Sequence, residues 1–356
     1  MAANDLKRAE KIVISASKKI SATRYSRPIN VESEKEKFLN NKTTDPSFEY
    51  KEPEYDTKKV NLELNKINIP DSEIGKLYKR KCKSLLLQNK IIENIGKNNK
   101  IKKLSSEVYG KPNSDLVKYA DSLLKKLSPH ESRKELESFY VKKKFEDVLN
   151  ELGLNNWKVV FSNERETSVY PDHKKITICR NRKFSYTELK QLLLHEIYVH
   201  ALRSENGYTQ PYLIFAFGLS GYLSTEEGLT TYFEKKTGIM DDNKLRDYAG
   251  RVIAVDSVCK NLTFDQTFRK LKEYGFSDDV SWILSSRAHR AGGFIKDHIY
   301  LDGYVKVKEF SKKDGDFKDL FVGKVGLNDL KLVRKLIEKG TIKPPSHVPD
   351  FIQGCN

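Results

Sequence analysis

The chain has 356 residues, a formal net charge of +16, 38% hydrophobic residues and 32% charged ones. That length suits one large domain or two modest ones around a sizeable core, in a soluble, globular and rather polar protein. The longest membrane-like stretch, "PYLIFAFGLSGYL" (211–223), is too short to span a bilayer, and "MAANDLKRAEK" lacks the apolar core of a secretory signal.

Residues 1–70 are polar and proline-punctuated, with one amphipathic start from Leu6 to Ile20, and read as an extended arm wrapping the surface. Residues 71–155 read as a helical subdomain. Ile74, Leu77, Tyr78, Leu85, Ile92 and Ile95 recur at helical spacing up to Gly96. A second helix follows "KPNS" with Leu116, Ala120, Leu123 and Leu124 on one side. A third runs from about Glu131 to Leu152 and stops at Gly153.

The period then changes, and 156–342 reads as the catalytic domain. "WKVVF" (157–161) and "SVYPDHKKITIC" (168–179) are β-rich and predict a small antiparallel sheet. Ser185 and Glu188 form a capping-box pattern, so a helix starts near Tyr186 and ends around Asn206-Gly207. Helices are expected near 211–222, 225–236, 243–260, 264–274 and 278–290. An irregular glycine-rich stretch (291–303), a surface loop at "KKDGD" (312–316) and a last helix (327–339) ending at Gly340 follow. Residues 343–356 read as a tail. The fold class is α+β, mostly α-helical, with an N-terminal helical layer.

The four cysteines (Cys82, Cys179, Cys259, Cys355) contain no C-x-x-C pair. This favours a reducing cytosol and leaves any metal to histidines and carboxylates. The string "HEIYVH" (195–200) places two histidines five apart, where zinc peptidases commonly show H-E-x-x-H. Residues four apart on a regular helix differ by about 40° around the axis, but residues five apart by about 140°. Two readings follow. Either the histidines diverge and His200 pairs with Glu196 on a half-buried helix, or a π-type turn across Ile197–Val199 brings both to one face. "STEEGLTTYFE" (224–234), about thirty residues on, offers Glu226 and Glu227 as a third ligand. Two histidines on one helix and a Glu on a later one is the gluzincin pattern, in which Glu196 would activate the water. An acidic pair at a helix start also complements the macrodipole without any metal.

"HEIYVHALRSENGYTQP", "GYLSTEEGLTTYFE" and "GGFIKDHIYLDG" resemble a family marked by an H-E-x-x-x-H helix and a Q-E-G-L-A motif, which includes the microtubule-associated tyrosine carboxypeptidase. The resemblance reaches upstream through "PINVESEKEKFL", "DPSFEYKEPEYD" and "EVYGKP", covering nearly the whole chain after about residue 28. It implies one zinc ion held by His195, His200 and Glu227, with Glu196 as general base in a gluzincin-like metallopeptidase. Glu226 stands where the motif has Gln, Thr230 where it has Ala, and Tyr198 where Gly is frequent. Hydrolysis also needs a group for the oxyanion and, in a carboxypeptidase, one for the substrate's terminal carboxylate. Tyr300, Arg287, Arg290 and Lys296 in "SRAHRAGGFIKDHIYLDGY", together with Arg203, are the residues read for those roles. His289 and His298 are weaker alternatives as additional ligands.

The resemblance implies removal of a C-terminal Tyr from an acidic tail such as that of α-tubulin, in a cytoplasmic, cytoskeleton-associated setting without membrane or specific nucleic-acid partners. The charge of +16 would help recruit such a tail. A lysine-biased composition accounts for it equally well, although residues 57–103 hold thirteen Lys/Arg against four Asp/Glu. Rival readings are an endopeptidase or aminopeptidase on the same scaffold, a basic nucleic-acid-binding protein with structural histidines, and an acidic-scaffold binder without catalysis.

Overall fold

Apart from the half-buried Ile95, the apolar positions that recur at helical spacing beyond Asp71 are buried in the computed structural model, which describes residues 2–129, 133–164 and 166–353. The chain opens with α1 (Ala2–Lys19), α2 (Ala22–Tyr25), α3 (Val31–Leu39), α4 (Thr57–Asn65), α5 (Glu73–Ile92), α6 (Asn98–Tyr109) and α7 (Ser114–Lys126). There follow α8 (Ser138–Glu151), β1 (Lys158–Ser162), β2 (Ser168–Tyr170), β3 (Lys175–Cys179) and α9 (Tyr186–Leu192). A π-helical segment (Leu193–Ala201) leads into α10 (Leu202–Tyr208), α11 (Ile214–Phe217), α12 (Tyr222–Lys236) and α13 (Asp242–Cys259). The chain ends with α14 (Phe264–Glu273), α15 (Asp278–Gly293), α16 (Ile299–Lys313), α17 (Leu330–Glu338) and α18 (Asp350–Gln353).

These elements form two compact units, each built from two stretches: Met1–Pro129 with Asp242–Asp302, and His130–Asp241 with Gly303–Asn356. The boundaries cut across the segments read from the sequence.

In the first unit, residues 1–70 are not an extended arm. Four helices occupy most of the segment, and Val13, Phe38, Val60 and Leu64 are buried. Phe38 meets Phe264 and Trp282 at ring-centroid distances of 5.0 and 5.4 Å, contacts that add about 0.5–1.5 kcal/mol per pair beyond burial. Their apolar stripe is narrow and interrupted by lysines, so its period is faint. Helix α6 has no counterpart in the expectation for the same reason, yet Ile101 is fully buried beside Ile91 and Phe294. The helix expected from Glu131 starts only at Ser138, and Glu131 itself lies outside the described residues, as does Cys355.

In the second unit the sheet is mixed rather than antiparallel. The strand order is β1-β3-β2, with β1 parallel and β2 antiparallel to β3. The turn at Pro171–His173, closed by Lys174 at φ 43°, folds β3 back between β1 and β2. The last strand thereby becomes the central one, and Ile176, Thr177, Ile178 and Cys179 are buried. The stretch 211–222 carries only the short α11, because Gly218 takes φ 87° and ends it. Ile214, Phe215 and Ala216 are nonetheless wholly buried. Helix α10 ends at Tyr208, close to the expected end, and Gly207 within it serves packing. A Cβ there would lie 2.4 Å from the Ala216 nitrogen, so it lets α10 and α11 touch.

Candidate metal centre

Ser185 caps α9, its hydroxyl accepting from the Glu188 N–H at 3.1 Å, while the Glu188 carboxylate pairs with Arg182. The helix then widens. Leu193–Ala201 is π-helical, and the Leu202 N–H donates to the Ile197 carbonyl five residues back. The widening is longer than the turn expected across Ile197–Val199. An i→i+5 ladder stacks residues five apart on one face, so His195 and His200 do not diverge. Their rings meet edge to face with centroids 4.6 Å apart.

The third member comes from α12. His195 Nε2 lies 3.3 Å from Glu227 Oε2. Donor atoms of His195, His200 and Glu227 all fall within 4.8 Å of one another, the one such group among the described residues. Ligand atoms around a tetrahedral zinc with bonds of about 2.0–2.2 Å sit about 3.3–3.6 Å apart; the His195–Glu227 pair has that spacing, and the donor types of all three residues suit a small divalent cation. Glu196, between the histidines, is also buried. Burial alone would lower the His195 pKa, but Glu227, Glu234 and Glu196 outweigh it and push it up to about 10. Two of these carboxylates, Glu227 and Glu234, lie against the imidazole.

Local sequence explains how Glu227 is held. Gly221, at φ 79°, opens α12. Thr230 and Thr231 both donate their hydroxyls to the Glu227 carbonyl, at 2.7 and 2.9 Å. Gly228 rests directly on Gly303, whose carbonyl carbon would lie 2.3 Å from an added Cβ.

Two residues that the sequence reading did not assign stand behind the histidines. Glu234 Oε1 is 3.8 Å from His195 Nδ1, and Glu226 Oε2 is 3.0 Å from His200 Nδ1. Glu226 had been weighed as a ligand. Glu234 is seven residues beyond Glu227, two helical turns along the same face, and this spacing was the available signal. Lys324, 3.1 Å from Glu226, sits in a loop that carried none. Burial would raise the Glu226 pKa, but Lys324, His200 and Arg203 hold it well below the usual carboxylate range.

Arg203 is corrected from a substrate contact to a structural brace. It is 0% exposed and donates to Glu226 at 3.1 Å, to the Leu320 carbonyl at 3.0 Å and to the Val325 carbonyl. The other residues read as substrate contacts gather in the first unit. Arg287 Nε binds Asp297 at 2.6 Å, with Arg290 and Lys296 each 3.8 Å from the same carboxylate. Burial would raise the Asp297 pKa, but Arg287, Arg290, Lys296 and Arg251 hold it well below its ordinary value. Tyr300 stacks on Tyr248 at 5.1 Å, with the Arg251 guanidinium 4.5 Å from its ring centroid. His289 Nε2 lies 2.8 Å from the Thr267 hydroxyl and His298 Nδ1 lies 3.0 Å from the Ile295 carbonyl, also within that unit.

Compared with known proteins, residues 36–356 match the sequence profile of the family described as microtubule-associated tyrosine carboxypeptidase. The chain belongs to that family. Curated members named microtubule-associated tyrosine carboxypeptidase 1 are 30% identical to it, over 161 residues in Rattus norvegicus and over 180 in Homo sapiens. The matched stretches cover 41% and 46% of this chain and 33% and 36% of those relatives, so the likeness spans about a third of their length. No solved structure matches. Of the departures from the family pattern, Thr230 adds the hydroxyl bond described above. The Tyr198 ring lies 5.8 Å from that of Phe351 in α18. Neither alters the donor set.

Proposed function

We propose that the chain is a zinc-dependent carboxypeptidase of gluzincin type that trims the C-terminal residue, Tyr by preference, from an acidic protein tail. The supporting observation is the convergence of His195, His200 and Glu227 through the π-helical segment, with Glu196 beside them. His195, His200 and Glu227 would hold one zinc ion, which when bound supplies Lewis acidity that brings the pKa of a water near neutrality. Glu196 would take the proton of the attacking water and deliver it to the departing amine, a role suited to a buried carboxylate adjacent in sequence to His195. Glu226 and Glu234 hold the histidine rings in place. Arg287, Arg290, Lys296 and Tyr300 are assigned to the substrate on chemistry alone, as cationic and phenolic groups suited to carboxylates and a developing oxyanion.

Preference for Tyr comes from the names of the relatives, and attraction to an acidic tail is supported by the net charge of +16. Tubulin tails are the corresponding substrate class, and a cytoplasmic, cytoskeleton-associated site of action accompanies that proposal. No helix among the described residues is long and apolar enough to cross a membrane.

The test compares zinc content and C-terminal trimming of an acidic peptide ending in Tyr, with free and amidated ends, for wild type and Glu196→Gln. Zinc in both proteins, and release of Tyr from the free-ended peptide by wild type alone, is the expected result. Intact protein that binds no zinc sinks the reading, and cleavage of the amidated peptide makes the protein an endopeptidase or aminopeptidase instead.

A further inference from the structure

Three donors are aimed at one side chain behind the metal-ligand set. The Glu226 carboxylate accepts from Arg203 Nη1 at 3.1 Å, Lys324 Nζ at 3.1 Å and His200 Nδ1 at 3.0 Å. Two of these donors are the ends of basic side chains, and Arg203, Glu226 and Lys324 are all at least nine-tenths buried. A carboxylate has two oxygens and about four lone-pair sites, enough for all three. The glutamine of the family's motif has one acceptor oxygen, and its NH₂ group would face a cation. The surroundings of position 226 are therefore built for a negative charge.

We infer that Glu226 is a positioning residue. It fixes the Nδ1–H tautomer and the ring plane of His200, leaving Nε2 for the metal, while Arg203 and Lys324 supply the charges that let a carboxylate take the place of the motif's glutamine. Carboxylates behind metal-bound imidazoles orient the ring and strengthen the ligand, and their loss weakens metal affinity by roughly 10–100-fold. The device also ties in a distant segment. Arg203 binds the Leu320 and Val325 carbonyls and Lys324 lies between them in sequence, so the 320–325 loop is linked through Glu226 to His200. This inference rests on the reading of His195, His200 and Glu227 as a zinc-binding set.

The experiment measures zinc affinity by competition with a chromophoric chelator, and the visible spectrum of the cobalt-substituted protein, alongside thermal unfolding of the metal-free form. Glu226→Ala is expected to weaken zinc roughly 10–100-fold and to alter the cobalt spectrum. Glu226→Gln is expected to weaken zinc too, because the amide then faces Arg203 and Lys324. Adding Lys324→Met to Glu226→Gln removes one of those cations and should recover affinity to within about threefold of wild type, a coupling that a purely structural role does not predict. If Glu226→Ala does not fold, the Gln variant and the double variant carry the test. Unchanged zinc affinity and cobalt spectrum in the folded variants, with only the metal-free stability altered, overturns the positioning role. Failure of Lys324→Met to recover affinity overturns the charge-matching half. A wild-type protein that binds no zinc removes the proposed function itself, which distinguishes the two failures.

Discussion

Gly228 and Gly303 meet backbone to backbone. A Cβ on Gly228 would lie 2.3 Å from the Gly303 carbonyl oxygen, and one on Gly303 would lie 2.0 Å from the Ser224 carbonyl oxygen. Neither obstacle is the end of a flexible side chain, so α12 and the Gly303 segment must separate to admit a methyl group. Gly228→Ala is expected to destabilise the second unit by about 1–3 kcal/mol, and to weaken zinc binding because Glu227 precedes the contact. Urea unfolding followed through Trp157 checks this, and a loss below about 0.5 kcal/mol contradicts the close packing.

The wide turn is in effect one residue inserted into a helix. Deleting Tyr198, whose ring faces Phe351, should let Leu193–Ala201 relax to i→i+4 bonds, with the histidines now four apart and still on one face. Zinc binding is expected to survive within about tenfold. Loss of the metal from a folded deletion variant would show that the extra residue does more than set the spacing.

The role of Glu196 makes a separable prediction. Glu196→Gln removes a proton acceptor while leaving the three donor residues in place, so turnover should fall by about 10²–10⁴-fold with zinc content unchanged. Activity within about tenfold of wild type would assign proton transfer to another group.

Much of this was legible. The apolar period gave α5 and α7, Ser185 marked the start of the helix that carries both histidines, and the five-residue spacing forced the choice between divergence and a π turn. Glycine was the main source of error, because it serves two purposes that look alike in a sequence. Gly218 does adopt positive φ and ends α11, whereas Gly207 and Gly303 sit within helices where another backbone comes close. Reading 291–303 as irregular therefore missed the start of α16 at Ile299. Arg203 was misjudged for a different reason. Charge in a sequence suggests exposure, and only the buried Glu226 with the Leu320 and Val325 carbonyls shows why a guanidinium is enclosed.

His289 gives a stability signature independent of any metal. Burial lowers its pKa from 6.5 to about 4. Between those values the unfolded chain takes up a proton that the folded protein does not, so stability falls as pH falls through this window. Acidification from pH 7 to pH 5 should remove about 2 kcal/mol through this residue. Urea midpoints followed by Trp282 fluorescence in a Trp157→Phe background test it. His289→Gln should flatten the slope, and an equal slope in both proteins would remove His289 as its cause.

Glu226, Glu227 and Glu234 ride on α12, and both histidines ride on the adjoining wide helix. Within a helix the backbone hydrogen bonds fix each position relative to its neighbours, at about 1.5 Å of rise and 100° of rotation per residue in the α-helical α12. The centre therefore has few independent degrees of freedom. It behaves as two rods in contact, and a small roll of α12 would withdraw all three carboxylates in concert. A bound cation would act as a bolt between the rods. Its removal should loosen both along their length, so hydrogen exchange would quicken across 193–208 and 222–236 together and not only at His195, His200 and Glu227.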